Sequence, residues 1–448
     1  MLIAGAVSLG YWLLMPAGPE IQARMRIPEN HPSPDAARAK NVNQGTLIPG
    51  KSKPSDEKGT WPCFRGPKGD AIAAGPAIVS TWPADGPKIL WKMDLGEGHA
   101  GAAVHNGCVY IIDYDEEKNE DAIRCLSLGN AEEIWRYTYY VKVKRLHGMS
   151  RTVPAVTDKY VLTLGPKCHV VCLNAATGEA IWKKDLVADY GTRVPEWYAG
   201  QCPLVDGDRA ILAPGGTCLM MAVELATGKT VWETPNPKNW QMTHSSILPI
   251  NFGGRRQYVW CASDGVVSVD AETGKLLWEL PDWHIRIATV PTPVDIGGGR
   301  IFFTGGYNAG GMMAQIVKEG EQIKLKELFR TKPRVFGSDQ HTPILHNGLI
   351  YGVIPGGQLT CLSPEGKQLW TDKEHDFGLG PYLMVNGKLL VLDDHPPTLY
   401  LFDVNAAGPK ELARHTISDG YDAWAPIAFV NGKALLRDAK TMVCLDLR

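Results

Sequence analysis

Residues 170–182 read VVCLNAATGEAIW: an apolar, β-branched run, a Thr-Gly turn, then a tryptophan in a second apolar run. Alternation at period two makes each flank a strand, and glycine accepts the positive φ that closes the hairpin at no steric cost. The arrangement returns as MAVELATGKTVW (221–232) and VSVDAETGKLLW (267–278). It returns more loosely as IRCLSLGNAEEIW (123–135), and one residue shorter as LTCLSPEGKQLW (359–370).

The tryptophans keep time. Trp91 to Trp135 is 44 residues, and the following intervals to Trp182, Trp232 and Trp278 are 47, 50 and 46. Trp278 to Trp370 is 92, twice 46, with Phe329 of KELFRT standing where the missing tryptophan belongs. A period near 46 is too long for two-helix repeats and fits a four-stranded propeller blade. Only 78 residues follow Trp370, one strand short of two more repeats. The segment PKILWKMDL (87–95) is an orphan strand ahead of the first full repeat, and it supplies the missing one. The expectation is an all-β, eight-bladed β-propeller with four-stranded blades, its last blade closed by an N-terminal strand so that no edge stays open. Trp91, Trp135, Trp182, Trp232, Trp278, Phe329 and Trp370 are then blade-to-blade docking residues. Trp182→Ala is expected to cost more than substitution of Trp61 or Trp82, which lie outside the repeat. Cys125, Cys172, Cys361 and Cys444 share one slot with Ala222 and Ser268, a compact core position. The glycine-rich stretches at 297–303 and 305–311 fall inside a repeat and read as hairpin turns rather than phosphate cradles.

Composition narrows the class. Across 448 residues, 46 basic against 48 acidic side chains leave a net charge of −2, without the basic footprint of a nucleic-acid binder. The ten cysteines include no CxxC, no haem motif and no adjacent pair. Leu2–Met15 is apolar and too short for a full span, so 1–23 reads as a signal peptide or membrane anchor, with a possible tether through 1–19. Residues 24–60 read as a disordered linker and 61–448 as the propeller. Export to the periplasm, free or membrane-anchored, is the expectation. A cytoplasmic location stays open, because no basic residue precedes the apolar run and Arg24 and Arg26 follow it.

The repeat x-x-[CAS]-[LV]-x-x-x-T-G-x-x-x-W resembles the tryptophan-docking repeat of the pyrroloquinoline-quinone (PQQ) type of eight-bladed propellers. WPCFRGPKGD (61–70) is similar to the N-terminal signature of PQQ-like propellers common in Planctomycetes and Verrucomicrobia. The resemblance covers about residues 61–448. It implies the fold but leaves activity open, since that superfamily holds quinoprotein dehydrogenases, an outer-membrane assembly factor and many proteins of other roles. This sequence departs from the dehydrogenases: it lacks their adjacent Cys-Cys pair and offers no local match to their calcium ligands. Neither PQQ nor calcium is therefore expected.

The leading functional expectation is an exported or cell-envelope binding or scaffold module, monomeric, presenting a propeller face to a protein or glycan partner. An enzyme using the axial pocket is an alternative, with a PQQ-dependent oxidoreductase the first class to test. A small-molecule or metal sensor is another. Any site is expected where the segments leading into the innermost strands converge at one channel mouth. Those segments carry His99, Arg151, Trp197, Tyr198, His244, Arg286, Asp339, His341, Asp422 and Trp424. The histidines and aspartates suit a metal, and Arg151 with the aromatics suits an anionic or sugar-like ligand. The competing expectation is that they only solvate the mouth.

Overall fold

Every Thr-Gly repeat forms the third and fourth strands of a four-stranded antiparallel sheet, and eight such sheets follow one another along the chain. This computed structural model describes residues 44–320 and 322–448, within one unit spanning Ala39–Arg448. The expected leader, 1–23, and linker residues 24–43 lie outside the described residues. The innermost strands of blades 1 to 8 are Ala103–His105, Ala155–Val156, Leu204–Asp206, Leu248–Phe252, Val294–Gly297, Ile344–His346, Tyr382–Val385 and Ala428–Val430. Lys88–Asp94 completes blade 8 by pairing antiparallel with Thr441–Asp446, Trp91 opposite Cys444. The ring thus closes through its N-terminal strand. Among the described residues no helix is long and apolar enough to cross a membrane.

One structural detail recurs in all eight blades. The pairing of third and fourth strands breaks at a β-bulge just after the core slot, and the slot faces the docking position across the sheet. Cys125, Cys172, Ala222, Ser268, Cys361 and Cys444 each face a tryptophan. In blade 5 the pair is Met313 with Phe329, and in blade 7 it is Leu401 with Ala413. A smaller docking residue is matched by a larger slot residue, as expected where the interior is close-packed and the pair shares one volume. All ten cysteines are free thiols.

Docking has a definite geometry. The indole N–H groups of Trp91, Trp135, Trp182, Trp232 and Trp370 donate to Leu128, Ala175, Leu225, Ala271 and Asn405 carbonyls, at 2.7–3.1 Å, each in the next blade round the ring. The ring also covers the next blade's Thr-Gly turn. A Cβ at Gly178, Gly228 or Gly274 would stand 2.5–2.7 Å from the neighbouring indole, so the turn needs glycine for this approach as well as for its φ near 70°. Trp278 is the exception. Blade 5 has no Thr-Gly turn to receive it, and its N–H turns to Gln257 Oε1 of its own blade.

Two expectations fail on the N-terminal side. The linker does not reach residue 60: Thr46–Pro49 adds a fifth strand to the outer edge of blade 1, Leu47 opposite Tyr137. Four residues ending in proline carry almost no periodicity, yet an outer edge accepts them because pairing there needs only backbone. Trp61 is 3% exposed and Trp182 is only half-buried, which reverses their expected order of importance. Trp61 belongs to a strand, Thr60–Trp61, that pairs with the innermost strand of blade 1, and Gly66 packs on its ring.

Candidate functional site

The segment after Trp61 crosses the central channel. Pro62 O accepts from Val156 N in blade 2 at 2.7 Å, and the Arg65 guanidinium donates to Thr342 O and Pro343 O in blade 6 at 2.6 and 2.9 Å. Blades 2 and 6 face each other across an eight-membered ring. Ile72–Ala73 then lies parallel on the innermost strand of blade 7, and Val79 N reaches Leu447 O beside blade 8. Arg65 also donates to Gly69 O and Asp70 O, which folds the segment on itself. The segment closes the channel, and Phe64 lines the cavity left on the other side.

That cavity is a cup of about 430 Å³ on the axis. Its wall is built from the connections leading into the innermost strands, which a propeller gathers at one mouth. His99, Arg151, Trp197, His244, Asp339, His341 and Trp424 all line it. Three sequence candidates fall outside. Tyr198 is buried behind the wall, where its hydroxyl donates to Lys144 O at 2.7 Å and accepts from Lys144 N at 2.9 Å. Arg286 is exposed, and Asp422 contributes its backbone, accepting from Trp424 N at 2.8 Å. Their segments are placed correctly, but the local loop backbone decides which neighbour faces the axis: Trp197, Tyr198 and Asp422 all have positive φ, at 62°, 72° and 52°, outside any strand. Sequence reasoning missed Phe64, Cys202 and Tyr307. Phe64 sits in the signature at 61–70 and Tyr307 in a hairpin read as a plain turn; only the folded ring brings either to the axis.

The cup is mostly uncharged. Burial, reinforced by the Arg151 and Arg437 charges, lowers the His99 imidazole to about 3. Burial and Arg151 lower His244 to about 4, and burial brings His341 to about 4 with Arg65 adding to the effect. All three are neutral at pH 7. His99 Nε2 donates to His147 O at 2.8 Å and His341 Nε2 to Leu379 O at 3.1 Å, so in the neutral rings Nδ1 carries the lone pair. Burial lowers Arg151 only to about 10, and it stays cationic. Its Nε donates to Trp197 O and its Nη2 to Leu146 O and His147 O, at 3.0 and 2.7 Å for the latter two. Burial raises the Asp339 carboxyl above its usual range. Trp424 is held by its indole N–H on Asp394 Oδ2 at 2.8 Å and packs against His99 with ring centroids 4.6 Å apart and planes tilted by 31°.

The donor set bears on what the cup can hold. Among the described residues no three His, Cys, Asp or Glu side chains gather as a metal site. Calcium takes six to eight oxygen ligands, and among the described residues Asp339 is the single carboxylate lining the cup. The cup thus offers little of the carboxylate ligation that a calcium-bound quinone draws on. Cys202 is no ready nucleophile either, because burial raises its thiol to about 11.

Residues 119–372 match the family model described as outer membrane protein assembly factor BamB. No curated protein matches the chain. Among solved structures, BamB from Moraxella catarrhalis aligns at TM-score 0.57 and 13% identity, covering 80% of this chain and 99% of its own. A europium-containing methanol dehydrogenase aligns at 0.62 and 14%, covering 87% and 90%. The quinohemoprotein alcohol dehydrogenase from Comamonas testosteroni aligns at 0.60 and 12%, covering 87% and 80%. At such identities these likenesses concern the fold. The matched family model spans more than half of the chain, which belongs to the BamB-type family of PQQ-like propellers.

Proposed function

We propose that this BamB-type propeller is a cell-envelope binding module that seats a group of its partner in the axial cup, without quinone chemistry. The observation that carries the reading is the cup itself: about 430 Å³, closed below by the segment through Phe64, walled by Trp197 and Trp424, and supplied with one fixed cation. An aromatic, largely apolar concavity with a few placed polar groups is what small-ligand recognition needs. Leu146, Ile287, Tyr307 and Tyr421 stand 37–53% exposed in the loops around that mouth, apolar surface that a partner's contact would cover. The family's description supports an envelope setting and a partner rather than a substrate.

The test is a thermal-shift and calorimetric screen of the whole chain against defined dipeptides, sugars, sugar acids, and PQQ with calcium. At least one class other than the quinone should raise the melting temperature, and Trp424→Ala should abolish that shift. Stoichiometric PQQ binding with alcohol oxidation, or shifts indifferent to Trp424, would overturn the proposal.

A further inference from the structure

Among the described residues, Arg151 and Asp339 are the only Arg, Lys, Asp or Glu side chains lining the cup, and they belong to opposite sides of it. Arg151 lies in the segment leading into the innermost strand of blade 2, which begins at Ala155, and Asp339 in the one leading into that of blade 6, which begins at Ile344. Among the described residues neither meets the other or any opposite charge in an ion pair, and the Arg151 partners are the carbonyls of Trp197, Leu146 and His147. Those bonds use Nε and Nη2 and leave Nη1 without a partner among the described residues. Asp339 is steadied by the Tyr307 backbone N–H. Two unpaired charges at the wall of a half-enclosed apolar cavity are costly, and each is best offset by a hydrogen-bonded counter-charge. The three neutral histidines between them do not supply one.

Resting on the reading of the cup as a binding site, we infer that its ligand is an extended zwitterion of dipeptide size, its carboxylate on Arg151 and its ammonium on Asp339. The scale agrees. The cube root of 430 Å³ is about 7.5 Å. Two extended residues reach at most about 7 Å, whereas a free α-amino acid holds its two charges too close together to meet both walls. Trp197, Trp424 and Phe64 supply faces for an apolar or aromatic side chain. Tyr307 beside Asp339 adds a ring that favours an ammonium. A sugar acid would satisfy Arg151 but leave Asp339 without its cation.

The experiment is calorimetric titration of the full chain with Leu-Phe, N-acetyl-Leu-Phe, Leu-Phe amide, free phenylalanine and glucuronate. Leu-Phe should bind at least tenfold more tightly than either blocked form and than phenylalanine. Arg151→Met should erase the penalty for amidation and leave that for acetylation. Asp339→Asn should do the reverse, and Arg151→Lys should restore part of the carboxylate preference if Arg151→Met misfolds. Equal binding of free and blocked dipeptides, tighter binding of glucuronate, or no binding of Leu-Phe at millimolar concentration overturns the zwitterion. If blocked dipeptides or glucuronate still bind in a Trp424-dependent way, the cup remains a binding site and only its ligand class is wrong.

Discussion

His99 offers the sharpest test of the cup's electrostatics. Its ring is 5% exposed and its folded-state value lies near 3, against about 6.5 for an unfolded chain. Between those values the unfolded chain binds a proton that the native protein refuses, so acid favours unfolding. The contribution is fully present above pH 6.5 and is lost as pH falls toward the folded value. From pH 7 to pH 5 the linkage integral gives a loss of about 2 kcal/mol from this one residue. The figure hardly changes for a folded value of 4, because pH 5 lies above both. His99→Gln keeps an N–H that can reach His147 O but cannot titrate. Chemical denaturation at pH 7 and pH 5 should therefore show a drop smaller by about 2 kcal/mol in the variant, while every other titration cancels in the comparison. In ¹³C-histidine spectra, the resonance missing from the variant should keep its neutral position at pH 5. Equal acid sensitivity in the two proteins, within about 0.5 kcal/mol, would refute the argument.

Further predictions follow from the packing. Arg65→Ala strips donors from four carbonyls and should lower stability by about 3–5 kcal/mol in denaturant melts, counting roughly 1 kcal/mol for each orphaned group. Trp61→Ala should cost about 3–5 kcal/mol and exceed Trp182→Ala, the order set by burial; a larger loss at Trp182 would contradict the packing. Deleting residues 61–96 removes both the strand that completes blade 8 and the segment closing the channel. That product should aggregate or melt far below the parent, and a melting point within a degree or two would refute closure by Lys88–Asp94.

The blades were legible because their signals are local. A Thr-Gly turn, a bulge and a tryptophan lie within thirteen residues, so their recurrence survives large divergence in the strands between. The closing strand was legible for another reason: a shortfall at one end and an orphan at the other can be matched by counting. What escaped was interaction without period. TLIP at 46–49 is held by its partner strand, and nothing in its own four residues announces that. Trp61 looked peripheral because its burial comes from pairing beside the innermost strand of blade 1, opposite Val104, 43 positions away.

The cup shows where such reading stops. Each wall residue lies just ahead of an innermost strand, so the ring's topology names the segments. It does not name the face, and that choice separated Trp197 from Tyr198 and Trp424 from Asp422. The charges needed more still. In sequence, three histidines and two aspartates resemble a metal site; in the fold, burial, reinforced by the Arg151 charge, holds His99 and His244 neutral, and Asp422 turns aside. What remains is a single cation facing a single carboxylate across an aromatic cup. Arg151 therefore acts twice: it adds to the burial that keeps the neighbouring imidazoles neutral, and it is the site for the anion. Arg151→Met should thus weaken carboxylate binding and, in the same protein, raise the titration point of His244. That pairing would not arise if Arg151 only braced the loop through its three carbonyls.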